Sequence, residues 1–102
     1  MAMQPLILVV DDELEIVDVI SEHLAKTYRT RTALSGADAI EQFVQERPHV
    51  VLLDMNMPGI SGLQAQEALR VIDATVPVIM LTGVQDVHLL AAALARRQGP
   101  VD

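Results

Sequence analysis

The sequence predicts an α/β domain built on a parallel β-sheet that is covered by helices. Short β-branched runs alternate along the chain with longer stretches of helical periodicity, and this alternation is typical of β-α-β units. Two of the short runs, residues 6–10 and 50–53, are wholly apolar. A strand without polar alternation is expected to be buried on both faces. These observations place the chain in the class of parallel α/β proteins.

The composition indicates one domain, residues 1–102, with its own core. The absence of cysteine excludes disulfide frameworks, thiolate zinc sites and cysteine nucleophiles. A net charge of -7 and an aromatic content of 2% argue against binding to nucleic acid or anionic lipid. No apolar stretch approaches the ~20 residues that span a bilayer, and the N-terminus lacks the basic flank of a signal peptide. We therefore expect a cytoplasmic protein that binds neither nucleic acid nor membranes.

Periodicity predicts the first three elements. The strand at residues 6–10 stops at Asp11 and Asp12, and an amphipathic helix near residues 14–26 follows it. Residues 28–34 form the second predicted strand, in which polar side chains alternate with others. This alternation favours a position at the edge of the sheet. The first helix is indicated by apolar residues at helical spacing, namely Ile16, Val17, Ile20 and Leu24.

The middle of the chain supplies the second helix and the third strand. Ser35 and Asp38 have the spacing of a capping box at a helix start, although Asp replaces the usual Glu or Gln. Pro48 ends that helix, and the apolar run 50–53 then stops at an acid, Asp54. The turn after this strand is indicated by Pro58, Gly59 and Gly62.

The last part of the chain supplies a third helix, a fourth strand and a fourth helix. The strand at residues 76–81 begins near Pro77, where proline is tolerated, and ends at Thr82 and Gly83. Asp86 is the predicted cap of the final helix, which stops at Gly99-Pro100. The third helix is indicated by Ala65, Ala68, Leu69 and Ile72.

Acidic residues follow the first and third strands, and a threonine follows the fourth. The carboxyl ends of parallel strands meet at one edge of a sheet, where ligands bind in such folds. If the first and third strands are neighbours, the carboxylates of Asp11, Asp12 and Asp54 converge there with the hydroxyl of Thr82. Carboxylates so close together repel one another unless a cation lies between them. Oxygen ligands predict a Mg²⁺ site, with Mn²⁺ as an alternative ion, and a remaining carboxylate can attack a phosphoryl group.

Three segments of the sequence resemble the receiver domain of two-component response regulators. They are VVDDE at 9–13, LLDMNMPGISG at 52–62 and PVIMLTG at 77–83. The resemblance implies a flavodoxin-like, doubly wound parallel sheet with strand order 2-1-3-4. It also implies a signalling domain rather than an enzyme, whose partner is a sensor histidine kinase or a phosphotransfer protein.

The same resemblance implies a role for each residue of the predicted site. Asp11 and Asp12 bind Mg²⁺, and the backbone carbonyl of Asn56 completes the metal site. Asp54 is also a metal ligand and accepts the phosphoryl group. Thr82 bonds a phosphoryl oxygen and acts as the switch, while the small Gly83 leaves room for the phosphoryl group.

One departure from the family pattern concerns the end of the chain. Receivers of this kind continue with a further strand, which carries a lysine and an aromatic residue, and a further helix. Neither follows Gly99-Pro100 in this sequence. Without them, the strand at residues 76–81 becomes a sheet edge with apolar side chains on both faces. We therefore expect self-association through that edge, or lower stability than an extended form has.

Other interpretations of these residues are open at the level of sequence. Asp11 or Asp12 alone could be a helix cap. A metal-dependent phosphatase with an aspartate nucleophile is an alternative function, but such enzymes carry a second acid two residues later, where this chain has Asn56. A truncated interaction module without the switch is a third possibility. Met55 and Met57 either fill gaps or line the entrance of the site. No function is assigned to His23, His49 and His88.

Overall fold

A four-stranded parallel sheet with helices on both faces forms the fold of the computed structural model, which describes residues 4–81. The strands lie in the order β2-β1-β3-β4, so the predicted α/β class and the predicted strand order are confirmed. The elements are β1 (Leu6–Val10), α1 (Leu14–Ala25), β2 (Arg29–Ala33), α2 (Gly36–Gln45), β3 (Val50–Asp54), α3 (Gly62–Ile72) and β4 (Val78–Leu81).

The sheet separates two layers of buried apolar side chains. Successive residues of a strand point to opposite faces. Leu8 and Val10 of β1 therefore pack with residues of α2 and α3, while Ile7 and Val9 pack with residues of α1. Phe43 of α2 is fully buried in the first layer. The apolar run of β1 is thus buried on both faces, as the sequence predicts.

The strand register brings the ends of β1 and β3 side by side. Val10 of β1 pairs with Leu53 of β3, and Asp54 at the end of β3 pairs with Leu81 of β4. All these pairings are parallel, so the carboxyl ends of the strands lie at the same edge of the sheet. The order reverses between β1 and β3, which is where ligands bind in open α/β sheets.

The strand β2 lies at one end of the sheet order, as its polar alternation predicts. Arg29 of β2 donates two hydrogen bonds to the Glu46 carboxylate, at 2.7 and 3.0 Å, and Arg31 lies 3.6 Å from the same carboxylate. The hydrogen bond from Arg29 lowers the pKa of Glu46, and the positive charges of both arginines act in the same direction. These exposed pairs link the end of α2 to the outer strand.

Several element boundaries differ from the predictions by one or two residues. The helix predicted over residues 14–26 ends at Ala25, with Lys26 as its C-cap. The strand β4 begins at Val78 rather than at residue 76. Pro77 accepts a hydrogen bond from Val51 N–H at 3.0 Å, but proline has no N–H with which to continue the ladder.

Two helix starts are capped by serine. Ser35 Oγ accepts a hydrogen bond from Asp38 N–H at 3.1 Å. Of the two hydrogen bonds of the capping box predicted for α2, the one to the serine side chain is therefore present. A full capping box lies at α3, where Ser61 Oγ accepts from Gln64 N–H at 3.2 Å and Gln64 Oε1 accepts from Ser61 N–H at 3.0 Å. The S-x-x-Q spacing at 61–64 is the sequence pattern that predicts this box.

The predicted final helix, with Asp86 as its cap and Gly99-Pro100 as its stop, lies outside the described residues. Thr82 and Gly83 lie outside them as well. Within residues 4–81, no helix has the length and apolar character that crossing a bilayer requires.

Candidate functional site

Three aspartates meet at the carboxyl edge of the sheet. Asp11 and Asp12 follow β1 directly, and Asp54 is the last residue of the neighbouring strand β3. One carboxylate oxygen from each of the three lies within 4.8 Å of the other two. The convergence predicted for these residues is therefore present in the structure.

Asp11 is the buried member of the cluster, with 6% of its surface exposed. Its Oδ1 accepts a hydrogen bond from Glu13 N–H at 2.9 Å, and its own N–H donates to the carbonyl of Ala33 at 3.1 Å. Burial raises the pKa of the Asp11 carboxyl to about 6, and the negative charges of Asp54 and Asp12 act in the same direction. The hydrogen bond from Glu13 opposes this shift without cancelling it. Asp11 therefore carries its charge at a free-energy cost.

Asp54 is half-buried and is anchored through its backbone and its side chain. Its Oδ1 accepts a hydrogen bond from Asn56 N–H at 3.2 Å, and the next residue, Met55, donates its N–H to the carbonyl of Leu81 at 2.9 Å. Burial raises the pKa of the Asp54 carboxyl, the Asn56 hydrogen bond lowers it, and the charge of Asp12 raises it again. The net shift is upward, so the charged form of this carboxylate is also disfavoured.

The donor set fits a hard divalent cation. Two unit charges ~4 Å apart repel by roughly 4 kcal/mol at an effective dielectric of 20, so the charged cluster is unfavourable without a counter-ion. Carboxylate oxygens are ligands that Mg²⁺ and Mn²⁺ accept, and a site with few protein ligands suits Mg²⁺ because this ion retains several waters. Asp12 is exposed and would let an ion reach the cluster from solvent.

The loop between β3 and α3 borders the cluster. Gly59 in this loop has a φ of 78°, a conformation that favours glycine, which agrees with the turn predicted at Pro58-Gly59. Met57 is buried in the core layer that also contains Leu53. Met57 therefore fills a gap in the core. Met55 is half-buried beside the candidate acceptor.

The structure decides one alternative that the sequence leaves open at the site and shows one contact outside it. The N-cap of α1 is Glu13, whose side chain makes no capping hydrogen bond, so neither Asp11 nor Asp12 is the cap of this helix. His49, to which no function is assigned from the sequence, has a structural one. Its Nδ1 accepts a hydrogen bond from Leu6 N–H at 2.9 Å, and its backbone N–H donates to the carbonyl of Leu6 at 2.8 Å. His49 thus fixes the start of β1, at the opposite end of the strand from the aspartates.

The fold and the acidic cluster together define a doubly wound α/β domain whose site lies where the strand order reverses. The model of the response regulator receiver domain family matches residues 7–98. The chain therefore belongs to the response regulator receiver domain family, whose members are signalling domains of two-component systems rather than typical enzymes.

Curated relatives agree with this assignment. Sporulation initiation phosphotransferase F of Bacillus subtilis is 35% identical over 89 residues, a match that covers 86% of this chain and 72% of that protein. The transcriptional regulatory protein PrrA of Mycobacterium tuberculosis is 34% identical over 91 residues, which are 88% of this chain and 39% of that protein. The chain thus spans less than half the length of the second relative.

Solved structures share the fold. The N-terminal domain of a response regulator receiver protein from Methanoculleus marisnigri has a TM-score of 0.72 and 30% identity, with 95% of this chain and 98% of that chain covered. Chemotaxis protein CheY4 of Vibrio cholerae has a TM-score of 0.73 and 27% identity, with 91% and 81% covered. The sheet order and its helices are therefore those of a receiver domain.

Proposed function

We propose that this chain is the phosphoacceptor of a two-component signalling system and that Asp54 receives the phosphoryl group. The donor is a sensor histidine kinase or a phosphotransfer protein that carries a phosphohistidine. The observation that carries this proposal is the convergence of Asp11, Asp12 and Asp54 at the reversal of strand order, in a chain of the receiver family.

The cation that fits this site is Mg²⁺, with Mn²⁺ as the alternative. Asp11, Asp12 and Asp54 would hold it together with the backbone carbonyl of Asn56. A bound divalent cation supplies positive charge that offsets the negative charge of the phosphoryl oxygens. The raised pKa values of Asp11 and Asp54 support this assignment, because a cation would stabilise the charged forms that burial disfavours.

The transfer step uses the Asp54 carboxylate as the nucleophile. A carboxylate oxygen forms a bond to phosphorus while the bond between phosphorus and the donor imidazole nitrogen breaks. The electron pair of that bond stays with the imidazole nitrogen. A phosphohistidine that is already protonated leaves as neutral imidazole, and a neutral one takes up a proton as it leaves. The hydrogen bond from Asn56 N–H restricts rotation of the Asp54 side chain and so helps to orient the nucleophile.

Thr82 is the proposed switch residue. It follows Leu81 directly in the chain, and Leu81 pairs with Asp54 in the sheet. By analogy with the family, its hydroxyl would donate a hydrogen bond to a phosphoryl oxygen and report phosphorylation to the rest of the domain. This role is carried over from the sequence motif at 77–83.

The test is incubation with acetyl phosphate and Mg²⁺, followed by intact mass spectrometry. We expect the wild-type chain to gain one phosphoryl group that hydroxylamine removes, and Asp54→Asn to gain none. Asp18→Asn is the matched control, because it removes an exposed carboxylate from α1 and should leave labelling unchanged. Label that persists on another residue of Asp54→Asn at the wild-type level would contradict the assignment.

A further inference from the structure

The first residue of α3, Gly62, packs directly against the backbone that carries the candidate acceptor. A Cβ atom added at Gly62 would lie 2.6 Å from Met55 Cα and 2.9 Å from the Met55 carbonyl oxygen, and it would overlap the carbonyl oxygen of Asp54. These neighbours are backbone atoms, which cannot rotate away as the end of a side chain can. The position therefore has no room for any side chain in this arrangement.

The requirement at Gly62 is one of space and not of backbone conformation. Among the described residues, a positive φ occurs at Gly59 and not at Gly62. Gly62 has a helical backbone at the start of α3, which alanine would adopt readily. Substitution by alanine should therefore leave the helix intact and push it away from the end of β3.

Two hydrogen bonds to the Met55 backbone also hold the segment after β3, and we call this pair of bonds the clamp. Gly62 N–H donates to the Met55 carbonyl at 3.0 Å, while Met55 N–H donates to the Leu81 carbonyl at 2.9 Å. The peptides on both sides of Met55 are thus held, one by β4 and the other by α3. The next N–H along, that of Asn56, donates to Asp54 Oδ1. Displacement of α3 would therefore move the groups that orient the Asp54 carboxylate.

We infer that Gly62 is a positioning residue for the metal and phosphoryl site. Its lack of a side chain lets α3 hold the Asp54–Met55 segment, and with it the Asp54 carboxylate and the Asn56 carbonyl, in the arrangement that binds a divalent cation. This inference rests on the proposed function, because it assumes that Asp11, Asp12 and Asp54 bind such an ion.

The experiment measures Mn²⁺ affinity by electron paramagnetic resonance of the free ion, with circular dichroism showing that each variant is folded. We expect Gly62→Ala to bind Mn²⁺ about 10-fold more weakly than wild type, the size of effect typical of groups that orient metal ligands. Gly36→Ala is the matched control. It makes the same change at the first residue of α2, where the added methyl group would lie 3.0 Å from Ile60 Cβ and 3.2 Å from the Ile60 carbonyl oxygen, which are longer contacts than those at Gly62. We expect it to keep wild-type affinity.

A second measurement needs no variant and applies even if Gly62→Ala fails to fold. Coupling between two sites is reciprocal, so a clamp that strengthens metal binding must itself be strengthened by the metal. By this reciprocity, saturating Mg²⁺ should slow hydrogen exchange of the Gly62 amide by about 10-fold more than that of the Ala65 amide. Ala65 N–H donates to the Ser61 carbonyl at 2.9 Å in the same helical turn and serves as the internal reference.

The outcomes separate this inference from the proposed function. Wild type that binds no Mn²⁺, or Asp12→Ala with wild-type affinity, would overturn the metal site and the inference together. If wild type binds Mn²⁺ through the aspartates, either of two results would overturn the inference alone. The first is equal Mn²⁺ affinity in wild type and in folded Gly62→Ala and Gly36→Ala. The second is equal slowing of hydrogen exchange at the Gly62 and Ala65 amides by Mg²⁺. Equal weakening in both glycine variants would also overturn it.

Discussion

Replacing Asp11 by asparagine should stabilise the metal-free protein at neutral pH. Asp11 is buried beside two other carboxylates, and its charged form is disfavoured there. An asparagine side chain has nearly the same shape, and its oxygen can still accept the hydrogen bond that Glu13 N–H donates. The substitution thus removes the buried charge while it retains the contact.

The size and sign of the effect follow from the pKa of Asp11, which is raised from 3.8 to about 6 in the folded state. The folded chain then binds more protons than the unfolded chain between these two values, so the unfolding free energy falls as the pH rises through about 6. At ~1.36 kcal/mol per pH unit, the charged Asp11 destabilises the fold by about 3 kcal/mol above pH 7 and by about half of that at pH 5. This is a large fraction of the ~5–15 kcal/mol stability of a small domain.

Urea denaturation followed by circular dichroism, with a chelator present, would measure the effect at pH 5 and pH 7.5. Asp18→Asn is the control for loss of one negative charge from the surface. We expect the unfolding free energy of Asp11→Asn to exceed that of wild type by about 3 kcal/mol at pH 7.5, with a smaller difference at pH 5. Added Mg²⁺ should stabilise wild type more than the variant and narrow the gap.

The reasoning would be refuted by either of two results. The first is an Asp11→Asn variant that is no more stable than wild type at pH 7.5 in the absence of metal. The second is a stability difference that is the same at both pH values, because that would show a cause other than ionisation of Asp11.

Two further predictions concern the core and a helix start. Phe43→Ala should lower the unfolding free energy by about 3–5 kcal/mol, because the ring is fully buried and also lies under the Arg47 guanidinium at 4.8 Å. Urea denaturation tests this, and a loss below about 1 kcal/mol would contradict it. Ser61→Ala should cost about 1 kcal/mol because it removes the cap of α3, and thermal melting should show it less stable than Gln64→Ala, which keeps the serine.

The acidic cluster could be predicted from the sequence because two apolar strands stop at aspartates. Only the adjacency of β1 and β3 was needed in addition, and right-handed crossovers in a parallel sheet make that arrangement a common one. The difference between Asp11 and Asp12 could not be predicted in this way. Both follow β1, yet only Asp11 turns inward, where its carboxylate accepts from Glu13 N–H.

Other errors have equally local causes. The strand β4 starts later than its apolar run suggests, because Pro77 offers a carbonyl to the ladder but no N–H. The capping box predicted at Ser35 is only half formed, and the side chain of Asp38 is one methylene shorter than the Glu or Gln that usually closes it. The tight packing at Gly62 depends on how closely α3 approaches β3. No pattern in the sequence states that distance.

The position of β3 has a consequence for how this domain could be altered by selection or by design. The strand is hydrogen-bonded to β1 on one side and to β4 on the other, so the backbone beneath Asp54 cannot shift without breaking two ladders. The loop at residues 55–61 is held by fewer backbone hydrogen bonds and contains the turn at Gly59, whose φ is positive. Exchanging the exposed side chains of this loop, such as those of Asn56 and Pro58, should therefore change which molecules reach the aspartate and how fast they react, while the backbone groups that hold the aspartate keep their place. Differences in reaction rate among domains of this architecture would then arise from the loop that follows β3 and not from the strand itself.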